Sequence, residues 1–170
     1  MVFDIPQAKG VDVYVFSGPT IREAVQRYNL FSGGGAMPPM WGLGLKYRTY
    51  TAADADTVLN VARTLREQKI PCDVIGLEPG WQSKAYSCSL VWSDERFPNS
   101  TRFIEQLHTM NYQINLWEHA YIHPTSPLYE PLLPYSADYL VWEGLVVDFA
   151  HPKGFRIFAD YHEQLIDQGI

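Results

Sequence analysis

Beyond Pro38-Pro39, short apolar runs alternate with stretches of helical spacing, and the connections on the two sides of that alternation differ in length. Residues 41–47, 72–77 and 112–117 are predicted strands, rich in β-branched, aromatic and leucine residues, with two glycines in the first that suit close backbone approach. Val58, Val61, Ala62 and Leu65 fall at helical spacing, and so do Phe103, Ile104 and Leu107, and Phe155, Phe158, Leu165 and Ile166. Thr51 and Asp54 stand where a capping-box variant would open the first of these helices. A strand plus a helix every ~30–40 residues is a βαβ unit, and its strands run parallel. Long loops follow the strands, one containing Pro98 and a proline-rich one reaching Leu133, whereas the turns after helices (Lys69-Ile-Pro-Cys72, Thr109-Met-Asn111) are short. A barrel with an elaborated carboxyl face shows that asymmetry. The expected fold is therefore α/β, a partial TIM (β/α)8 barrel of about three βα units, since a closed barrel needs eight and ~250 residues. By this count the 170 residues stop just before a fourth strand.

Ahead of the barrel pattern, residues 11–16 alternate like a strand. Gly18-Pro19 ends it, and Thr20 is placed to cap a helix through Ile21, Ala24, Val25 and Tyr28. Ser32-Gly-Gly-Gly35 and Pro38-Pro39 form a linker, which divides the chain into residues 1–35 and 36–170. The net charge of −6 and the scattered Lys and Arg offer no basic stripe for a nucleic-acid partner. No apolar stretch approaches the ~20 residues that span a bilayer. Met1-Val-Phe-Asp-Ile-Pro6 lacks the basic segment and cleavage site of a leader, which leaves the compartment open. Cys72 and Cys88 read as two separate thiols, with no metal-ligand spacing around them.

Two strand exits carry chemistry. Ile70-Pro-Cys-Asp-Val-Ile-Gly-Leu-Glu-Pro-Gly-Trp-Gln82 and Asn115-Leu-Trp-Glu-His-Ala-Tyr-Ile122 are apolar runs that break abruptly into carboxylates, aromatics and a histidine. Parallel α/β folds place their sites at the carboxyl ends of strands, so the two exits point to one site. Aromatic content of 14% around these carboxylates favours a sugar as the ligand.

These residues resemble glycoside hydrolase family 31. Pro38-Pro-Met-Trp-Gly-Leu-Gly44 is similar to the family's approach to its first barrel strand, and Ile70-Pro-Cys-Asp-Val-Ile75 to its second, I-P-x-D-V. Val91-Trp-Ser-Asp-Glu-Arg-Phe-Pro98 resembles F-x-W-D-x-x-x-F-P, Leu116-Trp-Glu-His-Ala-Tyr-Ile122 resembles L-W-I-D-P-x-I, and Val147-Asp-Phe-Ala-His-Pro152 resembles P-D-F-T-N-P. Phe16-Ser-Gly-Pro-Thr20 looks like the exit of the family's amino-terminal β-sandwich, so the resemblance makes residues 1–35 the end of that sandwich plus a linker helix. It implies retaining, exo-acting hydrolysis of α-linked sugars without a cofactor. The nucleophile and acid/base aspartates would lie beyond residue 170, in the rest of the parent chain, so the fragment itself would be inactive.

The resemblance also implies substrate-binding positions. Glu78 matches the second-strand aspartate that binds sugar hydroxyls, with one methylene more; a carboxylate salt-bridged within the face is the plainer reading. Trp117 matches the floor of the subsite, against simple core packing. His119 stands where the family has an aspartate and, unlike it, can donate a hydrogen bond. Glu118, on the opposite side of the strand, either contacts sugar or pairs with a basic neighbour. Tyr47, Arg48 and Tyr50 occupy the end of the first strand, where the family has R-W-G-Y. Trp81 and Trp92 read as sugar-stacking or as loop-packing residues, and Asp148 as an organiser of its loop. Glu118, His119 and His123 have a loosely metal-like spacing, but a strand running into Pro124 does not put the two histidines on one face. Two rival readings remain, a non-catalytic carbohydrate-binding barrel and a metal-dependent sugar isomerase or hydrolase.

Overall fold

The computed structural model describes residues 10–170; the stretch Met1–Pro6 discussed above lies outside them. The chain divides into two compact units at Pro38.

In the first unit, α1 (Ile21–Phe31) starts where expected. The Thr20 hydroxyl accepts from the Glu23 amide at 3.4 Å while the Glu23 carboxylate accepts from the Thr20 amide at 3.1 Å, a complete capping box. Phe16 lies against Tyr28 and Phe31, with ring centroids 5.5 and 5.2 Å apart, and Tyr14 lies 4.7 Å from Phe31. Residues 11–16 are not a strand, however. A strand exists only where a neighbour completes its ladder, and no described residue pairs with them.

In the second unit, β1 (Lys46–Arg48), β2 (Val74–Leu77) and β3 (Gln113–Leu116) form a parallel sheet in that order. The first strand is shorter and later than 41–47, because Met40–Leu43 closes into a 3₁₀ turn. Helix α2 (Ala55–Glu67) connects β1 to β2, and α3 (Ser100–Thr109) connects β2 to β3. Asp54 alone caps α2, accepting from the Thr57 amide at 2.9 Å, and Asn99 caps α3 in the same way. Both helices bury their apolar stripes on one face of the sheet, where Ile75, Leu77 and Ile114 meet Val58, Leu59, Ala62, Phe103, Ile104 and Leu107.

Arg66, in the last turn of α2, ties the amino ends of β2 and β3 together. Its guanidinium donates to the carbonyls of Cys72, Met110 and Asn111 at 2.8–3.0 Å and lies 3.7 Å from the Tyr112 ring centre. That end of the sheet is a structural staple, which leaves the carboxyl end for chemistry.

The chain then departs from the expected loop. Tyr121–Ile122 (β4) leads through α4 (Tyr129–Leu132) into a hairpin of β5 (Ser136–Val141) and β6 (Gly144–Val147), which builds an antiparallel sheet in the order β4-β6-β5. Helix α5 (Pro152–Asp167) closes the chain, with Pro152 at its first position and the His151 ring accepting from the Lys153 amide at 3.2 Å. Asp148 does organise its loop, accepting from the Ala150 amide at 3.0 Å.

Candidate active site

Arg48, Gly76 and Asn115 share one row of the sheet, with Lys46, Val74 and Gln113 a row below, and side chains two apart point the same way. These rows form the face opposite the helices. A cleft of about 310 Å³ opens on it, lined by Lys46, Arg48, Gly76, Leu77, Glu78, Asn115 and Trp117. Gly76 is needed for space: a Cβ there would sit 3.3 Å from Arg48 Cγ and 3.7 Å from Asn115 Oδ1. Arg48 uses that gap to reach Glu78. Its Nε donates to Glu78 Oε1 at 2.7 Å, and Nη2 donates to the same oxygen. Oε2 is left without a protein donor among the described residues, on a side chain 20% exposed. Glu78 is thus both salt-bridged within the face and available to accept a hydroxyl.

Trp117 is fixed by its backbone. Its amide donates to the Leu77 carbonyl at 2.9 Å, and its carbonyl accepts from the Trp81 indole N–H at 2.7 Å. Arg96 steadies the loop between them, donating to the carbonyls of Gly80 (2.6 Å) and Gln82 (2.9 Å).

Beyond Trp117 stands His119, whose ring centre lies 5.3 Å from Trp117, 4.9 Å from Tyr121, 5.2 Å from Trp142 and 6.0 Å from Tyr86. Its Nδ1 accepts from the Tyr121 amide at 3.1 Å. Burial lowers its pKa, so the ring is neutral with its proton on Nε2. That Nε2 is enclosed and has no hydrogen-bond partner among the described residues.

Of the predicted site residues, the cleft brings together Glu78, Trp117 and Arg48, with His119 adjoining through the Trp117 ring. The other four go elsewhere. Tyr47 alternates to the helix side of β1, where it lines a separate depression with Thr57, Asn60, Val61, Thr64 and Leu65 of α2. Trp81 is only 1% exposed and packs in the core, which leaves it no face for a sugar. Glu118 pairs with His162 of α5 at 2.8 Å, the structural alternative for that residue. Tyr50 is exposed in the turn after β1, outside the cleft lining. His119 reaches a sugar hydroxyl only if the groups that enclose Nε2 move. Glu118, His119 and His123 diverge, the last bonding Thr125 at 2.8 Å. Cys72 and Cys88 are free and buried.

Sequence reasoning missed Lys46 and Asn115, although each lies two residues before a predicted site residue on its own strand and so shares its face. Tyr86, Tyr121 and Trp142 left no such signal, since two of them come from loops that only folding joins.

Residues 35–170 match the glycosyl hydrolases family 31 TIM-barrel domain. The chain is 28% identical over 178 residues to alpha-xylosidase XylQ of Lactiplantibacillus pentosus, covering 96% of this chain and 23% of that protein. It is 27% identical over 140 residues to alpha-glucosidase 2 of Bacillus thermoamyloliquefaciens, covering 82% and 16%. It therefore spans less than a quarter of the length of these relatives. Its fold resembles that of a Flavobacterium johnsoniae GH31 dextranase complexed with glucose, with a TM-score of 0.76 at 23% identity, over 90% of this chain and 20% of that one. Three parallel strands, their helices on one face and the cleft on the other agree with that match, and the chain belongs to glycoside hydrolase family 31.

Proposed function

We propose that this chain supplies the first wall of the catalytic barrel, and the end of the preceding β-sandwich, in a retaining exo-acting α-glycoside hydrolase. The observation that carries the reading is the Glu78 cleft. A carboxylate with one unfilled oxygen, the Asn115 amide and the half-buried Trp117 ring meet at the carboxyl ends of parallel strands, where such barrels hold their sites. Oxygen acceptors and an amide suit sugar hydroxyls, and an indole suits the C–H face of a pyranose. Arg48 holds Glu78 through Oε1 and leaves Oε2 facing the cleft, which suits Glu78 to binding a sugar hydroxyl. Retention needs two carboxyl groups about 5–5.5 Å apart. The cleft lining contains one carboxylate, and the reacting pair comes from other strands of the complete barrel.

The test is Glu78→Gln in the full-length protein. The amide keeps the size but cannot act as an ionised acceptor, and turnover of the preferred α-glycoside should fall at least about a hundredfold with the fold intact. Nuclear magnetic resonance of the first-formed sugar should show the α anomer. Unchanged kinetics would make Glu78 structural, and sugar binding without turnover by the unaltered protein would favour a non-catalytic carbohydrate-binding barrel.

A further inference from the structure

Past β3 the sheet ladder runs out. The Trp117 amide still donates to the Leu77 carbonyl, but the residues that follow belong to no strand until Tyr121. Side chains take over there, and they come from the loop that leaves β2. Trp81 holds the Trp117 carbonyl through its indole N–H, and two further polar side chains of that loop, Gln82 and Cys88, are completely buried.

A fully buried primary amide is costly unless its hydrogen bonds are met. Gln82 meets them. Its Oε1 accepts from the Leu90 amide at 2.8 Å, which sets the orientation of the amide and aims Nε2 at the Cys88 sulfur (3.3 Å) and the Trp117 carbonyl (3.5 Å). The same sulfur accepts from the His119 amide at 3.4 Å. Burial pushes the Cys88 pKa up, so the group is a thiol, and it donates to the Ala85 carbonyl at 3.8 Å. Leu90, Gln82, Cys88 and His119 are thus joined in one buried network, and such networks specify a single arrangement when every member is satisfied. An apolar side chain would fill the same space at lower cost. What the amide and the thiol supply instead is direction. They fix the Trp117 carbonyl and the His119 amide, and because peptide groups are planar, a fixed amide and a fixed carbonyl on either side of the Trp117 Cα set where its ring points.

We propose that Gln82 and Cys88 are positioning residues for sugar binding, which hold the exit of β3 so that the Trp117 ring stands at the cleft in the orientation that meets the sugar. This rests on the reading of the Glu78 cleft as the sugar site. Neither residue lines the cleft, so their effect on the substrate passes through Trp117.

The full-length protein is assayed on the α-fluorides of glucose, xylose and galactose, and the one that turns over serves as the substrate. Cys88→Ala removes the acceptor of the His119 and Gln82 hydrogen bonds, and Cys88→Ser restores one in less space. In Cys88→Ala, kcat/KM should fall about tenfold, and in Cys88→Ser it should return to within about threefold of the unaltered enzyme. A packing role predicts the reverse order, since burying a hydroxyl costs more than burying a methyl group. A double-mutant cycle supplies the second readout. In a Trp117→Ala background, Cys88→Ala should change kcat/KM by less than about twofold, because the ring it positions is gone. If Cys88→Ala does not fold, Gln82→Met, which keeps the length of the side chain and removes its donors, is carried through the same cycle. Equal losses with and without the Trp117 ring, or a serine variant no better than the alanine variant, overturn the positioning role. Failure of the unaltered enzyme on all three fluorides overturns the glycosidase reading, and the positioning role with it.

Discussion

At the scale of single residues, space decides more than residue type. Gly80 and Gly44 both lack room for a β-carbon, yet their neighbours differ. At Gly80 the added carbon would sit 1.6 Å from the Thr51 carbonyl oxygen, a backbone atom. At Gly44 the obstacle, also at 1.6 Å, is Asp73 Oδ2, the end of a side chain that can rotate away. Gly80→Ala should therefore destabilise by about 1–3 kcal/mol, as overpacking does, and Gly44→Ala by clearly less. Urea unfolding of the two variants checks this, and equal midpoints would show that the Thr51 turn gives as readily as Asp73. The loop at stake joins Glu78 to Trp81, so Gly80→Ala should also disturb the Trp117 carbonyl to which the Trp81 indole donates.

At the scale of elements, the most consequential tie is Glu118 to His162. It fastens the segment between Trp117 and His119 to the middle of α5. The His162 ring faces two acceptors, the Phe158 carbonyl through Nδ1 and the Glu118 carboxylate through Nε2, each at 2.8 Å. Satisfying both takes two ring protons, so His162 is an imidazolium. Burial opposes that charge, but the hydrogen bonds to Glu118 and Phe158 and the Glu118 charge outweigh it, and its pKa rises above the ordinary 6.5. A raised pKa contributes stability in full below the ordinary histidine value and loses it as pH climbs through the folded one. His119 has the opposite sign: burial lowers its pKa, so its contribution is present above the ordinary 6.5 and is lost as pH falls from there through the lower folded value. The gap in melting temperature between the unaltered protein and His162→Gln should be wide at about pH 6 and narrow by about pH 9. A gap constant across that range would mean that His162 acts by packing against Phe158 alone.

At the scale of the whole chain, the open face of the sheet is largely polar. From the strand sequences alone, inward faces carrying Leu43, Leu45, Val74, Ile75, Ile114 or Leu116 would leave a barrel wall in need of its opposite half. Instead Ile75 and Ile114 turn to the helices, and the open face presents Lys46, Arg48, Gln113 and Asn115, with Val74 buried among them. What stays unsatisfied is hydrogen bonding, since β1 and β3 are both edges of the parallel sheet among the described residues. The 170-residue chain on its own should therefore self-associate through these edges and hydrolyse no α-glycoside, the cleft holding one carboxylate already paired to Arg48. Sedimentation at rising concentration checks the first claim and an α-fluoride assay the second. A monomer at all concentrations would show that such short edges and a charged face are protection enough, and turnover would refute the need for a second carboxyl group.

Reading along the chain was enough for the alternation of parallel strands and helices, the capping of α1, Asp54 as the cap of α2, and the strand exits that hold Glu78 and Trp117. All of these rest on local signals: period, cap residues, glycine and proline. Whether a residue at a strand end turns inward or outward hangs on a register of one residue, so Tyr47 and Arg48 went to opposite faces although they had been grouped together. Trp81 and Glu118 could be settled only by partners 36 and 44 residues away, the Trp117 carbonyl and His162. The hairpin stayed hidden because its turn uses Trp-Glu in place of the residues that normally announce one. Its tip meets Tyr86 only after β4, β5 and β6 have paired, and no pattern along the chain encodes a meeting of side chains more than fifty residues apart.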